Sequence, residues 1–275
     1  MYNKVELNNL FSITEIYTTF LRKYPDDYSF PGEIHNFIEI LIVLSGKISV
    51  TAGSNVITLK RGQAILHPPM EFHRFWSEAG TDPELIIISF SAANMPKLKS
   101  RVFAVDSALQ KKAKLMVSDI QQTFSFDDIS VTEIKNIDQI NYQLAIKRME
   151  IFVLSLISGN VINIETQLLK SSLNYTEIIK VLEDNIDNNL DIPEIARLCK
   201  MSEINLKKTF SKYSGIGIKN FYNTMIMNKA KSLLRAGHSV SETAAILHFE
   251  NTNYFSTAFK RITGKSPSYY KRSSN

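Results

Sequence analysis

Residues 244–272 read AAILHFENTNYFSTAFKRITGKSPSYYKR. The stretch has the rhythm of a helix, a short turn and a second helix. Phe255, Phe259 and Ile262 recur at helical spacing. At about 100° per residue they fall on one narrow stripe, which must face a core. The opposite face carries Asn253, Ser256, Thr257, Lys260 and Arg261. His248 stands at the turn, where such units usually carry glycine.

The stretch has a copy upstream. Leu206, Phe210, Tyr213 and Gly215 fall on Phe255, Phe259, Ile262 and Gly264 at an offset of 49 residues. Ile192, Ala196 and Leu198 fall on Val240, Ala244 and Ile246 at an offset of 48. The second copy therefore holds one more residue in its turn, and Lys200 fills the slot of His248. The outward face of the first copy is Ile204, Lys207, Lys208, Ser211 and Lys212. Carboxylates appear only at the margins, as Glu203 and Glu250. Such faces can meet base edges and phosphates. Asn253, Ser256 and Thr257 are expected to read bases in one groove, and Ile204, Lys207 and Lys208 in another. Thr252 and Glu203 are lesser candidates at the helix starts. Ser211, Lys212, Lys260 and Arg261 are expected on phosphate. One polar helix face is ordinary solvated surface; two copies in one phase, sharing a positive field, are not.

The spacing predicts helices over 176–187, 191–200, 203–213, 218–236, 241–247 and 252–262. Asp191 and Ser202 are candidate N-caps, as is Ser239 or Ser241, and Glu194 completes a capping box with Asp191. The helix over 218–236 would span about 28 Å. Successive major grooves on one side of a duplex lie about 34 Å apart, so one rigid helix can hold two reading heads.

Charge agrees. Of a net +5, residues 171–275 hold 15 Lys and Arg against 9 Asp and Glu, and the remainder is slightly acidic. The excess points to an anionic partner for the C-terminal part. The 275 residues make two domains the natural expectation. No apolar run is long enough to span a membrane, and the first residues lack the pattern of a signal peptide. A single cysteine, Cys199, excludes an internal disulfide and points to a reducing, cytoplasmic setting. Cys199 itself reads as a small buried hydrophobe.

With Phe249, Tyr254, Phe255, Phe259, Lys260, Gly264, Ser266, Pro267 and Tyr270 in order, the stretch resembles the C-terminal signature of the AraC/XylS family of transcription regulators. The likeness extends back to about residue 174. It implies a pair of helix-turn-helix units, each placing its second helix in the major groove of double-stranded DNA. The departures are Lys200 and His248 for the turn glycines, Ile226 for an arginine in the central helix, and Lys271–Arg272 at the closing arginine.

The N-terminal third alternates short apolar runs with turns at Ser45-Gly46, Gly53-Ser54-Asn55 and Arg61-Gly62, as a small barrel or sandwich does. Beside the C-terminal resemblance it is similar to the cupin-type sensing domains of such regulators. Glu33, His35, Glu39 and Gly46 fit the spacing of the first cupin motif, and Gly62, Pro68 and His73 that of the second. Glu33 stands where the motif has histidine, and Met70 where it has glycine. Metal-binding cupins use such His and Glu side chains, and a mixed nitrogen and oxygen set suits a divalent transition metal. On one straight strand, however, residues 35 and 39 would lie about 13 Å apart. Shared ligation of an ion requires a bend between them. Without it, these groups hydrogen-bond in a barrel mouth or bind a polar organic effector. His35, Glu39, His73, Arg74 and Trp76 are taken as effector-binding candidates; no metal and no cofactor is assigned.

The resulting fold class is α+β. A cupin-like β-barrel occupies 1–105, and a helical linker or dimerisation segment 106–170. An all-α DNA-binding domain with two helix-turn-helix units fills 171–275. In the linker, helices are expected over 107–124 and 133–158, with Ile137, Ile140, Leu144, Met149, Val153 and Leu156 as a stripe that covers the barrel or a second subunit. The function expected is a sequence-specific transcription regulator, an activator by family analogy, responding to a small molecule of the sugar class. The partners expected are DNA, that effector, a second copy of the chain in a homodimer and RNA polymerase, with no membrane. The alternative is a cupin metal-dependent enzyme, an isomerase or dioxygenase. It would need a complete metal set or an acid–base pair and would leave the duplicated helices unexplained, so the chain is read as a non-enzyme.

Overall fold

The computed structural model describes residues 4–8, 10–98, 101–135, 138–159, 161–162 and 172–272, apart from the side chains of Lys271 and Arg272. It forms two compact units, residues 1–52 with 56–169, and 53–55 with 170–275.

Among the described residues the first unit has ten strands. They are β1 (Ser12–Lys23), β2 (Ile38–Ser45), β3 (Lys47–Ala52), β4 (Asn55–Lys60), β5 (Gln63–His67), β6 (His73–Ser77), β7 (Glu84–Ala93), β8 (Val102–Ala104), β9 (Phe124–Asp127) and β10 (Ser130–Ile134). Seven form a sheet in the order β8-β5-β2-β7-β1-β10-β9, and β4-β3-β6 form a second. The turns expected at Gly46, Gly53 and Gly62 all carry positive φ. At Gly46 any side chain would also strike the backbone of Pro83, 2.8 Å away.

Strand β2 is buried on both faces, which explains its unbroken run IEILIVL. Leu41 and Val43 face the space between the sheets, packing with Ile48, Val50, Ile57, Phe75 and Ile87. Ile40 and Ile42 face the other way, beneath α1 (Ser107–Thr123) and α2 (Gln139–Ile157). Glu39 shares its face with Leu41 and Val43, by the two-residue period of a strand. The sequence therefore sends one carboxylate into a barrel interior.

Two expectations for the linker need correction. The second helix does not begin at residue 133: β9 and β10 form a hairpin through Asp128, which has φ 50°, and α2 starts at Gln139 behind an Asp138 cap. The expected stripe also divides. Met149, Val153 and Leu156 cover the sheet with Ala145 and Phe152. Ile140 and Leu144 lie on the opposite face with Ile151 and Leu154, all exposed. Ile137 lies outside the described residues.

The second unit holds α3 (Leu173–Asp184), α4 (Ile192–Leu198), α5 (Glu203–Ser214), α6 (Ile218–Arg235), α7 (Val240–Ile246), α8 (Thr252–Thr263) and α9 (Pro267–Arg272). The duplication extends to individual hydrogen bonds. Capping boxes open α4 at Asp191 with Glu194 and α7 at Ser239 with Glu242. Lys200 N–H donates to Arg197 O and Met201 N–H to Ala196 O; His248 N–H donates to Ala245 O and Phe249 N–H to Ala244 O. Both pairs are Schellman motifs, which need a left-handed residue just past the helix. Lys200 and His248 supply it, each at φ 53°. The side chains of Ser202 and Asn251 then cap α5 and α8, and the extra residue of the second copy is Glu250. Gly215 and Gly264 close both helices in the left-handed region.

Helix α6 joins the copies. Its first half buries Phe221 against Phe210, with ring centroids 5.1 Å apart, and Tyr222, whose hydroxyl donates to Asn185 O. Its second half buries Ala230 and Leu234 and packs against α7, α8 and α9. Ile226, at the position of the usual arginine, is buried here. The short α9, absent from the sequence reading, starts at Pro267, a residue suited to the first helical position. Cys199 is buried, as expected.

Candidate effector cavity and DNA-reading faces

Residues 35 and 39 do not lie on one straight strand. The chain bends at Asn36–Phe37 before β2 begins, and His35 Nδ1 lies 3.0 Å from Phe37 O across that bend. The His35 ring stacks on Phe37, centroids 3.7 Å apart. Glu33 is paired through its backbone with His73, and His73 Nδ1 lies 3.1 Å from Glu71 O. These local constraints bring four side chains together. His73 Nε2 is 3.3 Å from Glu39 Oε1 and 3.8 Å from Glu33 Oε1. His35 Nε2 is 3.9 Å from Glu39 Oε2 and 4.0 Å from Glu33 Oε1. Ser89 donates to Glu39 Oε2 at 2.9 Å.

Burial opposes the charge on Glu39, but His35 and His73 overcome it and hold the carboxyl well below the usual carboxylate range. His73 answers in kind: burial works against its cation, and Glu39 raises its pKa nonetheless. Burial, followed by the charge of Glu39, pushes Glu33 up. Behind His73, His67 stacks at 4.3 Å. Full burial, then the neighbouring His73, push His67 down to about 4. Its Nδ1 is 3.0 Å from Glu71, which is also paired with Arg101.

Glu33 and Glu39 form part of the wall of a cavity of about 450 Å³. Tyr17, Tyr24, Tyr28, Phe30, Phe37 and Phe75 supply aromatic surface, and Thr18, Arg22, Ser89 and Ser130 supply polar groups. Of the five effector-binding candidates, Glu39 lines this cavity, and His35 and His73 converge on it from behind. Arg74 and Trp76 do not join them. They alternate with His73 and Phe75 along β6 and so point to its other face. There the Arg74 guanidinium sits over the Trp76 ring at 5.1 Å and donates to Ser29 at 2.6 Å. Sequence reading missed the tyrosines of β1 and the loop after it. Their signal was an aromatic every few residues along 17–30.

In the second unit, Leu206, Phe210 and Tyr213 are buried in α5, and Phe255 and Phe259 in α8. Ile262 is only half-buried, and Ala258 takes its share of the core. Ile204, Lys207, Lys208, Ser211 and Lys212 are exposed together on α5; Asn253, Thr257, Lys260 and Arg261 are exposed on α8, with Thr252 and Ser256 half-buried beside them. Lys207 is engaged with Glu203 at 3.1 Å, and Lys212 lies over the Tyr213 ring at 4.9 Å. Ile204 is 82% exposed, an unusual state for an isoleucine without an occupant opposite it.

A helix-turn-helix domain model matches residues 195–273, and an AraC-like ligand binding domain model matches residues 15–125. The chain belongs to the AraC family of transcription regulators. Among its relatives, the Msm operon regulatory protein of Streptococcus mutans is 22% identical over 99% of this chain and 96% of that one. The HTH-type transcriptional activator RhaR of Yersinia pestis is 28% identical over 39% of this chain and 38% of its own. A solved structure of ToxT from Vibrio cholerae overlays with a TM-score of 0.36 at 16% identity, covering 94% of this chain and 96% of that one. The family assignment rests on the two domain models and the sequence relatives. As an AraC-family regulator the chain combines a ligand-binding domain with a DNA-binding helix-turn-helix domain. Its relatives are regulators, and the enzyme alternative finds no support among them. Among the described residues no helix is long and apolar enough to cross a membrane.

Proposed function

We propose that this AraC-family chain is a cytoplasmic one-component activator. It would hold a sugar-like effector in the first unit's cavity and read two successive major grooves through α5 and α8. The observation that carries the reading is the duplicated exposed face. Ile204, Lys208, Ser211 and Lys212 occupy the same phase on α5 as Asn253, Thr257, Lys260 and Arg261 on α8. Lys208 and Thr257 sit centrally, suited to base edges, and the flanking cations suit phosphate. Helix α6, with 18 residues, is about 27 Å long, near the groove repeat. The cavity favours a polyol: aromatic rings pack against the C–H faces of such a ligand, while carboxylates and hydroxyls meet its hydroxyl groups. A relative named as an activator, RhaR, supports that mode of action.

Residues 106–170 are assigned as the dimerisation segment. The exposed stripe of Ile140, Leu144, Ile151 and Leu154 on α2 supports this, because a monomer has little use for it. RNA polymerase is the further partner that an activator engages.

The test is a hydroxyl-radical footprint on an operator selected by the full-length protein from random DNA. Two protected windows one helical turn apart are expected, and a single window would overturn the two-head reading. Lys208→Ala should weaken binding by about 1–3 kcal/mol if the lysine engages guanine, with the protection lost in one window only.

A further inference from the structure

We propose that His35, Glu39 and His73, with Glu33 at the rim, form a binding site for one divalent transition-metal ion on the wall of the effector cavity. The ligand atoms of these four side chains all lie within 4.8 Å of one another. Donors bound at about 2.1 Å around one ion stand roughly 3.0–3.4 Å apart in octahedral or tetrahedral geometry. The His73–Glu39 pair already has that separation, at 3.3 Å. The three other histidine–carboxylate pairs, at 3.8–4.0 Å, need to close by roughly 0.4–1 Å, and no pair of the four is wider than 4.8 Å, a contraction within reach of rotations about side-chain bonds.

The histidines are oriented for the task. Each has its Nδ1 against a backbone carbonyl, which accepts only from an N–H. The neutral ring then keeps its lone pair on Nε2. The Nε2 atoms of His35 and His73 are buried and have no hydrogen-bond partner, and both face the two carboxylates. Side chains of His35 and Glu39 are 9% exposed and that of His73 is 4% exposed, so water does not compensate them. An outer carbonyl that fixes the tautomer is the usual support of a metal-ligating histidine. Glu39 is supported likewise by the Ser89 hydroxyl.

A plain ion pair between His73 and Glu39 explains less. It accounts for one imidazole and one carboxylate and leaves His35 Nε2 unpaired before two acids. A dication balances both carboxylates at once, which lowers the cost of keeping Glu39 buried beside Glu33. Two nitrogens and two oxygens favour Zn²⁺, Mn²⁺, Fe²⁺, Co²⁺ or Ni²⁺ over Ca²⁺ and Mg²⁺, which prefer oxygen alone. A straight strand through 35–39 would forbid shared ligation, and the bend at Asn36–Phe37 removes that obstacle.

The proposal does not depend on the identity of the effector or on DNA binding. Full-length protein, purified without metal-affinity resin, is stripped with chelator and titrated calorimetrically with Zn²⁺, Mn²⁺ and Co²⁺ alone. Visible absorption of the Co²⁺ form reports the ligand field. One equivalent per chain is expected, with affinity lowered at least about tenfold in both His35→Gln and His73→Gln. Glu33→Gln, at the half-exposed rim, keeps the test decisive if a buried variant does not fold: it should weaken binding and change the Co²⁺ spectrum. Uptake below about a tenth of an equivalent for all three ions overturns the proposal. So does one equivalent bound undiminished, with an unaltered Co²⁺ spectrum, in the folded variants.

Discussion

Replacing Lys200 and His248 with glycine should stabilise the DNA-binding unit. Both residues hold φ at 53°, where an L side chain pays about 1–2 kcal/mol because its Cβ crowds the following carbonyl. Glycine escapes this but loses about 0.5–1 kcal/mol through its freer unfolded chain. The net gain is about 0.5–1 kcal/mol per site, or roughly 1–2 kcal/mol for the double variant, since the sites are in separate copies. For a unit of about 100 residues, 1 kcal/mol moves the melting midpoint by about 4–8 °C. Both side chains are exposed, so little packing is lost. Circular dichroism at the helical band should follow the transition in the full chain. The only tryptophan, Trp76, belongs to the other unit and is silent here. Lys200→Ala with His248→Ala is the control, because alanine keeps the Cβ and should gain nothing. An unchanged or lower midpoint for the glycine pair would refute the reasoning, as would an equal gain for the alanine pair. Affinity for DNA should hold in the glycine pair, and a large loss would give His248 or Lys200 a direct role.

Ile204 should read a thymine methyl, the apolar feature of the major groove. Uracil substituted for that thymine in a selected operator should weaken binding about fourfold, since a buried methyl group is worth about 0.8 kcal/mol; Ile204→Ala should bind the two operators equally, and continued discrimination by that variant would refute the assignment. Ile151→Glu, placed in the exposed stripe of α2, should convert the dimer to monomer in sedimentation equilibrium at micromolar concentration, whereas an unchanged dimer would move the interface elsewhere.

The C-terminal unit was largely legible because its signals are local. Caps, turn residues and the core stripe recur at fixed offsets, so each copy checks the other. Lys200 and His248, in the slots where glycine is usual, keep the left-handed backbone despite residue types that disfavour it. Met70 behaves likewise: it stands where the cupin motif has glycine and keeps φ at 68°. What escaped notice was set by distant partners. The β9–β10 hairpin falls almost wholly between the two helices expected over 107–124 and 133–158, and its few apolar residues set no period of their own. Ile140 and Leu144 share an apolar character with Met149 and Val153, yet the sheet reaches only one face of α2. Arg74 and Trp76 neighbour His73 in sequence, but strand alternation sends them to the opposite face. The His35–Glu39 approach depends on one bend whose position the residue types did not disclose.

Helix α6 carries a consequence for the operator. One half of it belongs to the core beneath α5, the other to the core beneath α8, and no joint separates them. One more base pair between two groove contacts moves the second by about 3.4 Å and turns it by about 34°. A continuous helix buried at both ends has no soft torsion with which to follow. A regulator that reads DNA through both copies must therefore demand a fixed spacing, and an insertion between its contacts should act like the loss of one of them. Lengthening α6 by a residue would not rescue such an operator, because it would swing one core about 100° away from its partners.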